Sequence, residues 1–208
     1  MNTNQIKVGI KTLGKPVIEK HDHFYLLKNM LIGDGFHWNS AIEVKLPGEI
    51  SPCSEEGNIS LVNTLPLETY IKCVACSEMS PDAPLEFLKT HAVISRSWAL
   101  GKILNVHSAS ADGHHNSPDK IIGWDDTADH HGFHVCSDDH CQRYQGLQSL
   151  SPSKLEAIRS TANEVLIAPS GKPVDARFSK CCGGQTEIFS TCWQDKEEEC
   201  LESFPDPW

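Results

Sequence analysis

Along the first part of the chain, apolar residues step in twos. Ile6, Val8 and Ile10 alternate with other residues, and so do Ile42, Val44 and Leu46. That period puts every second side chain on one face, as in half-buried strands. Breaks at Gly33-Asp34-Gly35 and Pro47-Gly48 separate the runs. Residues 1–62 therefore predict an N-terminal β-rich lobe.

From Asn63 onward the period changes. Leu67, Tyr70, Ile71, Val74 and Ala75 recur at helical spacing, Asn63 or Thr64 can cap that helix, and Pro66 suits its first turn. Ser80-Pro81-Asp82 breaks the run. A second helix follows, with Pro84 in its first turn and Leu85, Leu88, Ala92, Ala99 and Ile103 on one face. Residues 106–131 are polar and rich in His and Asp, and predict a loop beside the site in which His114 and His115 are solvated. Ser151-Pro152 opens a short helix to about Ala162. Residues 164–167 and 174–178 predict two strands joined by a turn at 169–172, followed by Gly183-Gly184. The fold class expected is α+β: a helical hairpin from the 63–208 region packed with the β-rich lobe.

Composition narrows the function classes. The 208 residues are 39% hydrophobic and 22% charged, which reads as globular. A formal net charge of -10 argues against a nucleic-acid partner, which needs a basic footprint. It offers no polybasic membrane anchor either. No stretch approaches the ~20 apolar residues of a membrane span, and residues 1–20 show no signal-peptide core. A neutral polymer such as a glycan is compatible with this balance. Nine cysteines, an odd number, exclude complete internal disulfide pairing.

Two charged residues fall on apolar rows. Extending 67, 70/71, 74/75 by one turn reaches Glu78, a carboxyl on the buried face and in the last turn, where free carbonyls make the potential negative. Both conditions disfavour the charged form, as a general acid near neutral pH requires. The competing reading is a structural glutamate paired with a cation or backbone group. Arg96 sits on the inward row of the second helix and needs a partner or a polar cleft. In an αα-hairpin it can face Glu78, either as an ion pair or as a substrate-binding group.

The third feature is a donor cluster. Cys136, His140 and Cys141 are close enough to share one ion on a tight turn, with His130, His131 or His134 as a fourth ligand. Cysteine and histidine are the donors of tetrahedral zinc sites, and four protein ligands make such a site closed and structural. The last feature, Phe178 to Glu187, runs a strand into Gly-Gly, where backbone can approach a ligand or another segment.

These residues together resemble a known family. Asn63-Thr64-Leu65-Pro66-Leu67-Glu68-Thr69-Tyr70, Ser77-Glu78-Met79 and Pro84 through Arg96 are similar to the core motif of stage II sporulation protein D. Cys136 to Gly146 resembles that family's zinc-and-turn segment, and Phe178 to Glu187 its strand ending in GG-x-TE. The resemblance spans about residues 60–190. It implies a lytic transglycosylase that cleaves between N-acetylmuramic acid and N-acetylglucosamine in peptidoglycan and leaves 1,6-anhydro ends. It puts the catalytic acid on Glu78, with Arg96 on the substrate or the developing charge. It puts a structural Zn2+ on His130, Cys136, His140 and Cys141. It also implies an extracytoplasmic location, glycan strands as partner, and other wall hydrolases as further partners. A non-catalytic wall-binding module that enhances an amidase is the alternative, and a zinc- or redox-regulatory protein a third reading. The chain departs from the family at Cys73, Cys76, Ser77, Cys181 and Cys182. His91 stands where Gln is common, and the chain stops at Trp208 where further strands are expected.

Overall fold

The computed structural model describes residues 4–33, 37–53, 59–104, 115–117, 119–122, 130, 132–137, 141–148, 150–179, 181–192, 197–198 and 200–206. Within these, the fold is mixed α+β. Strands β1 (Gln5–Lys11), β5 (Glu49–Pro52), β6 (Ile59–Pro66) and β9 (Val135–Cys136) make a sheet of order β5-β6-β1-β9. β6 is antiparallel to β1 and β5, whereas β9 runs parallel to β1, with Gly9 opposite Cys136. β2 (Ile18–Lys20), β3 (Tyr25–Ile32) and β4 (Ser40–Leu46) form a second, antiparallel sheet.

The period-two readings hold in both sheets. Ile6, Val8 and Ile10 of β1 are completely buried, and Val44 and Leu46 of β4 join the same core. Helices α1 (Leu67–Glu78) and α2 (Leu85–Ile103) close that core with Tyr70, Ile71, Val74, Ala92, Ala99 and Ile103. Each large apolar side chain so buried contributes roughly 1.5–3 kcal/mol over exposure. α1 and α2 thus form one hairpin seated on the sheet, with the short turn 79–84 between them. Helix α3 (Pro152–Ser160) packs against both, opened by Ser151, whose Oγ accepts the Lys154 N–H at 3.3 Å.

Several local expectations change. Asn63 and Thr64 lie in β6 rather than capping α1. Pro66 takes the cap position with no side-chain bond, and the Leu67 N–H donates instead to the Asn4 carbonyl at 2.9 Å. Asn63 is buried, and its amide donates to the Pro47 and Glu49 carbonyls. Leu85 is exposed, because it sits on the open first turn of α2. Inside the expected loop, His115–Ser117 (β7) and Lys120–Ile122 (β8) pair as a two-stranded hairpin, while His114 lies outside the described residues.

The strand pair expected over 164–178 is reduced to a bridge between Ile167 and Pro173, flanked by Ala168 N–H to Lys172 O and Val174 N–H to Leu166 O. The ladder stops there because the Leu166 N–H donates to Ser97 Oγ and the Ala176 N–H to the Val174 carbonyl, both at 2.8 Å, rather than to the opposite segment. Beyond it, Gly183 and Gly184 both have positive φ, and a Cβ on either would meet nothing within 4 Å. These glycines serve the turn itself rather than a close backbone approach. The chain continues through a short helical turn at Phe189–Cys192 (α4) and a bridge from Gln185 to Pro205.

Candidate active site and metal centre

Glu78 is the last residue of α1. The apolar row that buries Tyr70, Ile71, Val74 and Ala75 turns it inward, and its side chain keeps 14% exposure. The carboxyl is held at both oxygens. Oε1 accepts the backbone N–H of Arg143 at 2.9 Å. Oε2 lies 2.9 Å from Nε2 of His91, one of the most buried polar residues of α2 at 2% exposure. Ser95 Oγ stands 3.3 Å from the same nitrogen, and Phe178 meets the imidazole edge-on, with ring centres 5.6 Å apart.

Arg96 is buried as expected, at 1% exposure, but its partner is Glu68. Nε and Nη2 donate to the two Glu68 carboxylate oxygens at 2.7 and 3.1 Å, and Nη1 donates to the Glu164 carbonyl at 2.9 Å. The pairing of Arg96 with Glu78 therefore gives way to Arg96 with Glu68. The physical reason is helical phase. Arg96 lies further along α2 than His91, so in an antiparallel hairpin it reaches the start of α1, and His91 reaches its end.

A single extended segment, 141–148, ties these parts together. The Arg143 N–H reaches Glu78, and the Gln145 N–H donates to Ser77 Oγ at 3.0 Å. The Tyr70 hydroxyl donates to Gln142 Oε1 at 3.1 Å, and the Tyr144 hydroxyl donates to Asn63 Oδ1. The Tyr70 and Tyr144 rings stack at 5.6 Å. Burial pushes both hydroxyls well above the usual tyrosine range. Gly146 then passes β4 with φ 67°, so close that a Cβ would lie 2.4 Å from the Lys45 carbonyl.

This segment begins at the donor cluster. The ligating atoms of His130, Cys136 and Cys141 lie within 4.8 Å of one another. Cys141 Sγ is 3.8 Å from His130 Nε2. With Zn–S of ~2.3 Å and Zn–N of ~2.0–2.1 Å, a tetrahedral site has an S–N edge of about 3.6 Å. The two thiols are not joined, and none of the nine cysteines forms a disulfide. An imidazole and two thiols at that spacing suit a thiophilic ion such as zinc. His140 and His131 lie outside the described residues. His134 is engaged elsewhere: its Nδ1 accepts the Lys7 N–H at 3.0 Å, and burial lowers its basicity. Cys136 is anchored by β9 to β1, so an ion here would join the main sheet to the segment that reaches Glu78.

Sequence reasoning left three parts of this site without a role. Glu68 stands in the first turn of α1 and is the acid that pairs with the buried Arg96. His91 falls on the same buried row as Leu88, Ala92 and Ser95, a signal as strong as that of Arg96. The Arg143 N–H is a backbone group that no side-chain pattern reveals.

A family model described as Stage II sporulation protein matches residues 55–167. That span covers α1, α2, His91, the donor cluster and α3. An uncharacterized protein of Brachyspira hyodysenteriae is similar to the chain, at 29% identity over 154 residues. The match covers 74% of this chain and 35% of the relative, so the chain spans about a third of that protein's length.

Proposed function

The chain belongs to the Stage II sporulation protein family, and from that premise we propose that it acts on the cell wall as a peptidoglycan lytic transglycosylase. Glu78 is the general acid that protonates the glycosidic oxygen between N-acetylmuramic acid and N-acetylglucosamine. The sugar's own 6-hydroxyl then attacks the anomeric carbon, and the Glu78 carboxylate takes the hydroxyl proton, leaving a 1,6-anhydro end. One carboxyl suffices for this route, in contrast to the pair used by most glycoside hydrolases. The observation that carries the reading is the setting of Glu78: an inward carboxyl at a helix end, oriented at both oxygens, still partly open to solvent and, among the described residues, bonded to no Arg or Lys side chain. Arg96 supports the hairpin rather than the substrate in this reading. The site of action is extracytoplasmic, on glycan strands, with other wall hydrolases as further partners. Among the described residues, no helix is long and apolar enough to cross a membrane.

The metal has a structural role in the same reading. His130, Cys136 and Cys141 would hold zinc, with His140 as the fourth ligand that the family resemblance implies. Bound zinc would add folding free energy, because the unfolded chain has no preformed site. What this chain's own residues do is carry that constraint along 141–148 to the Arg143 N–H. Protein prepared reduced and without chelator should hold one zinc per chain, and Cys136→Ser should remove it and lower the melting temperature. Less than about a tenth of an equivalent of zinc, or a Cys136–Cys141 disulfide, would remove the metal from this account.

Mass spectrometry of glycan strands digested with the protein tests the activity. Release of 1,6-anhydro ends by the wild type, and their absence with Glu78→Gln, is expected. Binding to wall without any cleavage would replace the enzyme reading with that of a non-catalytic module enhancing a wall amidase.

A further inference from the structure

The imidazole against Glu78 carries information that the acid role alone does not use. His91 is 2% exposed, and its two ring nitrogens differ sharply. Nε2 lies 2.9 Å from Glu78 Oε2. Among the described residues, Nδ1 is buried with no hydrogen-bond partner. That asymmetry selects a tautomer. If Nδ1 held a proton, a buried N–H would be left without an acceptor, a rare and costly state. With the proton on Nε2, the ring donates a hydrogen bond to Glu78 Oε2 and leaves only a bare lone pair at Nδ1.

Other groups around the imidazole agree with this assignment. From α2 itself, Ser95 Oγ is 3.3 Å from Nε2 and can accept a second branch of the same bond. From the 174–178 segment, the Phe178 ring meets the imidazole edge-on at 77° and offers no hydrogen-bonding atom to Nδ1. From α1, Glu78 is the group hydrogen-bonded to the ring.

We infer that His91 is a positioning residue for Glu78, acting as a neutral Nε2–H donor that fixes one carboxyl oxygen while the Arg143 N–H fixes the other. The inference rests on Glu78 being the reacting acid. With both oxygens pinned, the carboxyl cannot rotate about its last bond, and its free lone-pair directions are set before substrate arrives. Such pre-organisation acts on turnover rather than on binding, since a misplaced catalytic group costs up to roughly 10²-fold in rate. An imidazole can do this with one N–H only. The chemistry needed at position 91 is therefore a buried N–H donor near 3 Å, and a glutamine amide can supply the same N–H.

Three variants and one spectrum test the inference. His91→Leu removes the donor with little change in volume and should lower kcat by roughly 10²-fold while KM changes little. His91→Gln should restore most of that loss, because its amide N–H can reach Oε2. Folding of both is checked by near-UV circular dichroism. Should His91→Leu not fold, the comparison of His91→Gln with wild type stands in its place, and a 10²-fold loss in folded His91→Gln overturns the inference. Nitrogen-15 spectra of histidine-labelled wild-type protein should show His91 protonated at Nε2 and bare at Nδ1, and Glu78→Gln should shift its Nε2 signal. A proton on Nδ1, or full activity in folded His91→Leu, overturns the inference. Cleavage that survives Glu78→Gln would instead overturn the acid assignment itself, so the two failures are separate.

Discussion

Helix α1 presents a glutamate to α2 at each end, and the two are held in different ways. Glu68, in the first turn, takes both arms of the Arg96 fork, and the third arm goes to the Glu164 carbonyl. Its charge also sits at the positive end of the helix dipole. Glu78, in the last turn, has the dipole against it and, among the described residues, is bonded to no Arg or Lys side chain. Its partners are an imidazole and a backbone N–H. The lesson is one of division of labour within twelve residues. The guanidinium is consumed at the structural end, so the other carboxyl is oriented without being locked into an Arg ion pair. A charge-neutral frame of this kind is what a group that must gain and lose a proton needs.

The comparison breaks first if the two glutamates respond alike. Glu78→Gln should reduce glycan cleavage by at least roughly 10²-fold, the low end of general acid catalysis, with a melting temperature near that of wild type. Product analysis and a thermal melt on the same preparation check both halves. Glu68→Ala should do the opposite. It strands the buried Arg96 guanidinium and should cost roughly 3 kcal/mol, or about 6–12 °C in Tm for a chain of this size. Activity per folded molecule should survive at temperatures below the melt.

A smaller effect sharpens the same point. Arg96→Met removes the buried charge and leaves Glu68, which is 35% exposed and can rehydrate. The cost should be about 1–2 kcal/mol, less than for Glu68→Ala, read from urea unfolding. A larger loss for Arg96→Met than for Glu68→Ala would mean that Glu164 contact or packing, not charge, dominates this end. Should Arg96→Met lose cleavage while keeping its stability, Arg96 would return to the substrate side.

The smallest expected effect lies midway along α1. Burial pushes the Cys73 thiol from its ordinary 9.0 to about 12. The folded state thus keeps a proton that the unfolded chain releases above about pH 9, so its contribution is complete below that pH and is lost as pH rises towards 12. Stability measured between about pH 9 and pH 11 should fall less steeply in Cys73→Ala than in wild type. Tyr70 and Tyr144, also raised by burial, keep a residual slope of the same sign. Equal slopes in the two proteins would show that Cys73 is not the group responsible.

Much of the fold was legible before any coordinates. Ile6, Val8 and Ile10 announced β1 because a strand alternates its faces, and the row from Leu67 to Glu78 announced α1 because a helix repeats every 3.6 residues. Ser151-Pro152 marked the start of α3 by cap chemistry alone. The 164–178 hairpin stays a single bridge because the Leu166 and Ala176 N–H groups bond to Ser97 Oγ and to the Val174 carbonyl, partners that no local pattern reveals. Asn63 does not cap α1, since its side-chain amide serves the Pro47 and Glu49 carbonyls, 14 to 16 residues away.

By itself, then, the sequence determined periodicity, and through it the inward placing of Glu78 and Arg96, while donor spacing marked the cysteine-histidine cluster. It also carried the family pattern across 55–167. Which buried charge meets which was decided only by tertiary structure. The hairpin's antiparallel phase gives Arg96 to Glu68 and His91 to Glu78, and the Arg143 N–H arrives from a segment 65 residues downstream of Glu78. The physical reason is range. Helical and strand periods are set by neighbours a few residues apart, whereas hydrogen-bond partners are chosen by the packing of whole elements, which no local pattern encodes.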